Sequence, residues 1–456
     1  MCGVFGIYAP DRDVARLSYF GLYALQHRGQ ESAGIAVAEN ERLTGLRDLG
    51  LVTQVFDEQK LSGLRGQTAI GHTRYSTTGS NAWANAQPLI HHGTVRTVAL
   101  GHNGNLTNAD ELREELSPRL SSTSDSEVIA AAISCDERPL VEAISGALER
   151  LEGAATVVGL AEGKLFAFRD AFGFRPLVLG WIDDDPVVAS ETCALDLVGA
   201  KFDREIRRGE LLIAGGDGVE SFQVLPSAGD GALCIFEFFY LARPDTRLAG
   251  VEVHGARVRM GVQLAAEAPA EADLVLPIPD SGTPAAIGFA RASGIPFSEG
   301  LIKNRYVHRT FIQPEQGMRE QGIRMKFNPL DEVAGKRLVI VDDSIVRGST
   351  TRQIVQMLFD AGAAEVHVRI SSPPVVSPCY YGIDLASPDE MIAAHSTVEE
   401  VRAAIGATSL AYLSLEGLQA ATERPASALC RACLTREYPT SVPVGAKKLR
   451  FEPAAR

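Results

Sequence analysis

The rhythm of apolar and polar positions changes about halfway along the chain. Up to about residue 230 the pattern is of short strands with few helices. Gly3–Ala9, Gly34–Glu39, Ala69–Thr73, Arg96–Gly101 and Ala154–Leu160 read as strands. Val14–Gln26 and Ser126–Ala132 read as helices, with Asp125 placed to cap the second. Such a mixture predicts stacked sheets covered by helices on the outside. Beyond that point apolar strands alternate with helices: Leu274–Ile278 then Pro284–Arg291, Arg337–Val341 then Ser349–Phe359, then Val366–Ile370. This is the pattern of a parallel α/β sheet. The Gly/Pro-containing stretch Gly215–Gly231 separates the two styles, so domains are expected at 2–230 and 231–456. Lys303–Met325 is polar and basic, carries Pro314, Gly317 and Gly322, and reads as a long loop of the kind that usually serves function.

Composition narrows the possibilities. The chain has 456 residues, 45% hydrophobic and 22% charged, an ordinary globular balance with room for two or three cores. A net charge of −13 argues against nucleic acid as a main partner, while leaving room for a local basic pocket that takes a small phosphate. No apolar run is long enough for a membrane helix. The first apolar run, Val4 to Ala9, is too short for a signal peptide and is followed at once by Asp11, Arg12 and Asp13. A cytoplasmic protein is expected, and its seven cysteines then suggest catalysis or metal binding rather than disulfides.

The chemistry of the first half starts at Cys2. Removing Met1 leaves a thiol and a free α-amine on one residue. An α-amine has a pKa of about 8, so it can act as general base near neutral pH. A thiol is a good nucleophile even as a minor thiolate fraction. Alone, Cys2 reads equally as a small residue after a start methionine. Other motifs add to it. His102-Asn103-Gly104-Asn105-Leu106 follows an apolar strand, and an Asn amide with a Gly N–H makes an oxyanion hole, though Asn-Gly also makes an ordinary turn. Arg74, at the end of Gly71-His72-Thr73-Arg74, can fork a carboxylate. Ser124-Asp125-Ser126-Glu127 offers a carboxylate to an ammonium group or is a plain helix cap. These residue types suit an α-amino acid with a side-chain amide.

Cys2-Gly3-Val4-Phe5-Gly6-Ile7, Gln26-His27-Arg28-Gly29-Gln30-Glu31-Ser32-Ala33-Gly34, His72-Thr73-Arg74-Tyr75-Ser76-Thr77, His102-Asn103-Gly104 and Ser124-Asp125-Ser126-Glu127 resemble the glutaminase domain of the N-terminal-nucleophile amidotransferases. The resemblance implies an αββα sandwich, Cys2 as nucleophile, Asn103 and Gly104 as oxyanion hole, and Arg28, Arg74 and Asp125 as glutamine-binding residues.

In the second half, Leu338-Val339-Ile340-Val341-Asp342-Asp343 is an apolar strand ending in two carboxylates, and Ser344-Ile345-Val346-Arg347-Gly348-Ser349-Thr350 then opens a helix. Backbone N–H groups at a helix start bind phosphate, and paired carboxylates can hold ribose hydroxyls and favour Mg²⁺. This stretch resembles the signature of type I phosphoribosyltransferases. That implies Asp342 and Asp343 at the ribose and Mg²⁺, and residues 344–350 around the 5′-phosphate of phosphoribosyl pyrophosphate. Pro277-Ile278-Pro279-Asp280-Ser281-Gly282 looks like the pyrophosphate loop of that family, with Ser281 near Mg²⁺. Lys303, Arg305, Tyr306, His308, Arg309, Arg319 and Lys326 read as a solvated basic loop or, by the resemblance, as a lid over the pyrophosphate.

Both halves together resemble the glutamine phosphoribosylpyrophosphate amidotransferases over nearly the whole chain. The implied reaction is glutamine, phosphoribosyl pyrophosphate and water giving 5-phosphoribosylamine, glutamate and pyrophosphate, at the start of purine synthesis. Feedback by purine nucleotides and a homotetramer come with the resemblance. Cys430-Arg431-Ala432-Cys433, with Cys234 and Cys379, can hold zinc or an iron–sulfur cluster on spacing, or be surface or redox pairs. Some members carry a 4Fe–4S cluster on a similar ligand pattern. Cluster-bearing members often begin with a short propeptide, whereas only Met1 precedes Cys2 here. Cys135 and Cys193 read as buried structural cysteines. Other amidotransferases with the same glutaminase, and a non-catalytic sensor of phosphoribosyl pyrophosphate, are the competing readings. The Asp342-Asp343 signature disfavours the first, and the intact glutaminase motifs disfavour the second.

Overall fold

A computed structural model describes residues 1–116, 120–304, 325–385 and 388–442. Its first half holds two antiparallel sheets. One has seven strands in the spatial order Lys201–Glu205, Val178–Ile182, Asp185–Ala189, Gly3–Tyr8, Thr68–Arg74, Ser32–Glu39, Arg42–Leu49. The other has six, in the order Gly218–Gln223, Glu210–Gly215, Lys164–Arg169, Gly153–Ala161, Thr97–Leu106, Leu89–His92.

The side-chain period of a strand explains the layering. In Gly3–Tyr8, Phe5 and Ile7 enter a core with Val14 and Leu22 of the helix Val14–Ala24, while Val4 enters a core with Val158 and Leu165 of the facing sheet. Both faces are therefore dry, and the strand reads as a continuous apolar run. The helix lies close on the sheet because Gly21 has no side chain: a Cβ there would stand 2.3 Å from the Phe5 ring. On the outer face of the six-stranded sheet, Val98, Leu100 and Val157 pack against the helices Ala109–Leu116, Ser126–Ser134 and Leu140–Leu148. Helices, sheet, sheet and helices follow one another, which is the expected αββα sandwich.

The second half centres on a parallel sheet in the order Leu274–Pro277, Arg337–Asp342, Glu365–Ile370, Ser409–Tyr412. In the run from Leu338 to Val341, alternate residues enter two cores. Val339 and Val341 pack with the helices Val253–Glu267 and Thr283–Ser293; Leu338 and Ile340 pack with Ser349–Asp360 and Val398–Ile405. Ligands of such sheets bind beyond the carboxyl ends of the strands, where Asp342 and Asp343 lie. Among the described residues, no helix is long and apolar enough to cross a membrane.

Three expectations need correction. The strand expected at Arg96–Gly101 runs over Thr97–Leu106, so Asn103 and Gly104 lie inside it rather than after it. Asp125 stands at the start of its helix but makes no side-chain cap; its Oδ2 accepts from Leu106 N at 3.0 Å. The boundary stretch Gly215–Gly231 contains the edge strand Gly218–Gln223 of the six-stranded sheet.

Candidate active site

Strand register assembles the first pocket. Gly3 pairs with Thr73, and Arg74 with Ser32, so Cys2 and Arg74 leave the seven-stranded sheet at one edge. Strand Thr97–Leu106 of the other sheet brings Asn103 and Gly104 to the same place, and the Leu106 N–H holds Asp125. Cys2, Arg74, Gly104 and Asp125 line a narrow cleft with Tyr75, Thr77, Thr78, Gln87, His102, Ser124 and Ser126. A larger cavity of about 430 Å³, lined by Leu148, Phe168, Phe172 and Thr440 among others, touches none of the expected site residues.

The Asn103 side chain faces Cys2 from a fully buried position. Its Oδ1 accepts from Cys2 N at 3.2 Å, while its Nδ2 is buried without a partner among the described residues. An orphaned buried donor is costly unless something supplies an acceptor. The Cys2 thiol donates to Tyr75 O at 3.6 Å, and burial pushes it up from its ordinary value. Met1 is buried too, and burial pushes its α-amine down to about 6, so an amine in this position is neutral at pH 7. Arg74 is held by the carbonyls of Ser80 at 3.0 Å and Thr78 at 3.2 Å, with Glu31 at 4.0 Å.

The second site stands at the end of strand Arg337–Asp342. Asp343 accepts from Ser281 Oγ at 2.5 Å and Ser344 Oγ at 2.6 Å, and its own N–H donates to Asp342 Oδ1 at 2.9 Å. Burial, then the charge of Asp343, pushes Asp342 well above the usual carboxylate range. Burial raises Asp343 as well, against the pull of the two hydroxyls. Gly282 lets the Ser281 loop close onto this strand end: a Cβ would lie 2.4 Å from Val341 O and 3.3 Å from Asp342 Cα. Gly348 takes a left-handed conformation, φ +75°, and starts the helix Ser349–Asp360. The Ile345 side chain is in the core, the Val346 side chain packs against a second core, and Arg347 pairs with Glu390 at 2.6 Å, so those three offer backbone N–H groups rather than free side chains. Lys303 pairs with Asp280 beside the site. Arg305 and the other basic positions up to Arg319 lie outside the described residues.

A glutamine amidotransferase domain family matches residues 72–197 and a phosphoribosyl transferase domain family matches residues 259–371. The amidophosphoribosyltransferase of Mycobacterium tuberculosis is 52% identical, covering 97% of this chain and 87% of its own length. That of Synechococcus elongatus is 52% identical, covering 99% and 93%. The glutamine phosphoribosylpyrophosphate amidotransferase of B. subtilis, solved as a complex with ADP and GMP, superposes with a TM-score of 0.91 at 45% identity over 98% of this chain and 99% of its own. The chain belongs to the amidophosphoribosyltransferase family.

Within that amidophosphoribosyltransferase frame, Arg28 is the expected site residue that the structure places elsewhere. Its side chain is fully buried, donates to Glu191, and reaches Glu237 Oε2 of the second half at 2.7 Å. It is absent from the lining of the Cys2 cleft. The cysteines expected to act together do approach one another. Leu233–Cys234 pairs in parallel with Leu429–Cys430, setting Cys234 beside Cys430, and Cys433 follows in the next turn. Burial and the neighbouring sulfurs raise the Cys430 and Cys433 thiols, while Tyr381 N–H donates to Cys379 Sγ at 3.4 Å. Among the described residues no group of three or more His, Cys, Asp or Glu is arranged to hold a metal ion.

Sequence reasoning missed residues that act through backbone or through distant partners. Tyr75 serves by its carbonyl, which any residue has. Gln87 joins His102 N and Ser126 Oγ at 2.8 and 2.9 Å, and nothing local marks it. Arg257 is the buried cation that faces Asp343, and it is also tied to Phe238 O and Ala242 O. Burial lowers it to about 10.

Proposed function

We propose that this amidophosphoribosyltransferase releases ammonia from glutamine at Cys2 and adds it to C1 of phosphoribosyl pyrophosphate, the first step of de novo purine synthesis. The observation that carries the reading is Asn103. One end of its amide holds the N–H of Cys2, and the other is a buried donor with no partner among the described residues, facing the place where an oxyanion forms. With Met1 removed, that nitrogen becomes the α-amine. It takes the thiol proton, and Sγ attacks the glutamine carboxamide carbon. The tetrahedral oxyanion rests on Asn103 Nδ2 and the Gly104 N–H. Its collapse returns the proton to the leaving nitrogen, frees ammonia and leaves a γ-glutamyl thioester, which water hydrolyses to glutamate. Arg74 and Asp125 are suited to the α-carboxylate and α-ammonium of the substrate.

At the second site Asp342 and Asp343 hold the ribose hydroxyls, and the backbone from Ser344 to Thr350 holds the 5′-phosphate. Mg²⁺ fits this donor set: two adjacent buried carboxylates whose burial and mutual repulsion a cation relieves, with Ser281 alongside. Mg²⁺ commonly uses one or two carboxylates plus substrate phosphates, so a full protein cage is not required. Bound there, it supplies charge neutralisation of the departing pyrophosphate. Ammonia bonds to C1 as the bond to pyrophosphate breaks, and the new ammonium then gives up a proton. Lys303, at the end of the strand Leu301–Lys303 beside Asp280, is assigned to that leaving group.

Cys234, Cys379, Cys430 and Cys433 are assigned to a 4Fe–4S cluster. Each cysteine of such a cluster binds a different iron, so the sulfurs stand further apart than around a single ion. Four free cysteines support this, three of which, Cys234, Cys430 and Cys433, are raised by burial and then by neighbouring sulfurs. Purine-nucleotide feedback, a homotetramer and a cytoplasmic location complete the proposal; the first is supported by the B. subtilis structure with ADP and GMP.

Glutamate release from glutamine, with and without phosphoribosyl pyrophosphate, tests the reading. Strong stimulation by the second substrate is expected. Equal rates in both conditions would remove the coupling, and no glutamate at all would favour a sensor.

A further inference from the structure

Gly104 and Asn105 are gripped from two sides. From the first half, Thr77 Oγ1 donates to Gly104 O at 3.4 Å, and Thr78 Oγ1 donates to Asn105 Oδ1 at 2.6 Å. Thr78 also holds Arg74, whose Nη2 donates to Thr78 O. From the second half, Tyr380 O accepts from Asn105 Nδ2 at 3.0 Å. Gly382 packs so tightly on Gly104 that a Cβ would stand 3.0 Å from Gly104 C and O, at a φ of +105° that few side chains tolerate. The segment is itself anchored. Tyr381 stacks on Phe174 at 4.2 Å, and Arg175 Nε donates to Tyr381 O at 3.0 Å.

We propose that Asn105 is a positioning residue for glutamine hydrolysis, and that through it the Tyr380–Gly382 segment of the second half forms part of the glutaminase site. Both polar ends of the Asn105 amide are committed, one to the Arg74 clamp and one to Tyr380. This fixes the orientation of the amide and the rotation of the Gly104–Asn105 backbone. The oxyanion donor at Gly104 is thereby set by a segment 275 residues away in sequence. The proposal rests on the glutaminase reading and adds a residue to it.

The test measures steady-state kinetics of the full chain with glutamine and, separately, with ammonia. Asn105→Leu should raise KM for glutamine, because the Arg74 loop loses a support. Gly382→Ala should lower kcat with glutamine, because the Cβ pushes on Gly104. Each should cost roughly 3- to 10-fold in kcat/KM, the size of one net hydrogen bond, with ammonia-dependent synthesis within about twofold of the parent. The double variant should fall short of the product of the two effects, as for residues sharing one contact. Unchanged glutamine kinetics, or equal loss with ammonia, would overturn the proposal. If Asn105→Leu does not fold, Thr78→Val cuts the same relay at the clamp, and an unchanged KM for glutamine would then overturn it. Were no glutamate released even by the parent chain, the glutaminase reading itself would fall.

Discussion

His72 bridges the two sheets: it sits on strand Thr68–Arg74, and its Nε2–H donates to His102 O of strand Thr97–Leu106 at 3.0 Å. That bond fixes the tautomer and leaves Nδ1 without a proton. Burial pushes the imidazole down to about 3 from its ordinary 6.5, so it is neutral wherever the protein works. Below pH 6.5 the unfolded chain binds a proton there and the folded chain does not. Stability is therefore lost as pH falls from 6.5 toward 3, at about 1.4 kcal/mol per pH unit for this group. His72→Gln can retain a donor to His102 O without the titration. Denaturant unfolding at pH 7 and pH 5 is expected to show a drop smaller by about 2 kcal/mol in the variant than in the parent. An equal drop in both would mean that His72 is not the group responsible. Cys2 precedes the neighbouring strand Gly3–Tyr8, and burial raises its thiol.

Among the elements, the second site is two paired strand ends with a glycine that lets the Ser281 loop close onto them. Gly282→Ala would drive the Ser281 loop away from Val341 and Asp342, loosening the Ser281–Asp343 contact. Synthesis from ammonia and phosphoribosyl pyrophosphate is expected to fall by roughly tenfold or more, with glutamate release in the absence of the second substrate unchanged. Retained synthesis would show that the loop does not position the site. This element was legible in the sequence because strand, carboxylates and hydroxyl-rich helix start are contiguous. Other elements were less so. Strand Arg42–Leu49 is half-exposed and polar, so its pattern carries no apolar run. Asp125 read both as a cap and as a carboxylate for an ammonium, because one residue type serves both. Asn103 and Gly104 read as an oxyanion hole or as a turn, since Asn-Gly usually makes one; here they lie within a strand, and Gly104 is needed because Ala154 O would lie 2.0 Å from a Cβ.

For the whole molecule, the two halves meet through buried charge. Arg28 and Arg175 of the first half reach Glu237 of the second, and Glu191 accepts from Thr246 Oγ1 at 2.6 Å. Burial opposes the Glu191 carboxylate, yet Arg28 and His27 hold it well below the usual range. Such a network, absent from any local motif, explains why Arg28 belongs to a glutaminase motif without lining its pocket. The cysteines lie beside this network, where Cys234 and Cys379 act on Arg175, and strand Leu233–Cys234 pairs there with the C-terminal Leu429–Cys430. Iron and acid-labile sulfide are expected at about four each per chain. Zinc instead, or no metal, would refute the cluster. The proposed reaction depends on ammonia made at one site being used at the other. Cys2→Ala tests that most directly, assayed for 5-phosphoribosylamine with glutamine and with ammonia as nitrogen source. No product is expected from glutamine and undiminished product from ammonia; equal loss of both, or survival of the glutamine reaction, would show that Cys2 does not supply the second site.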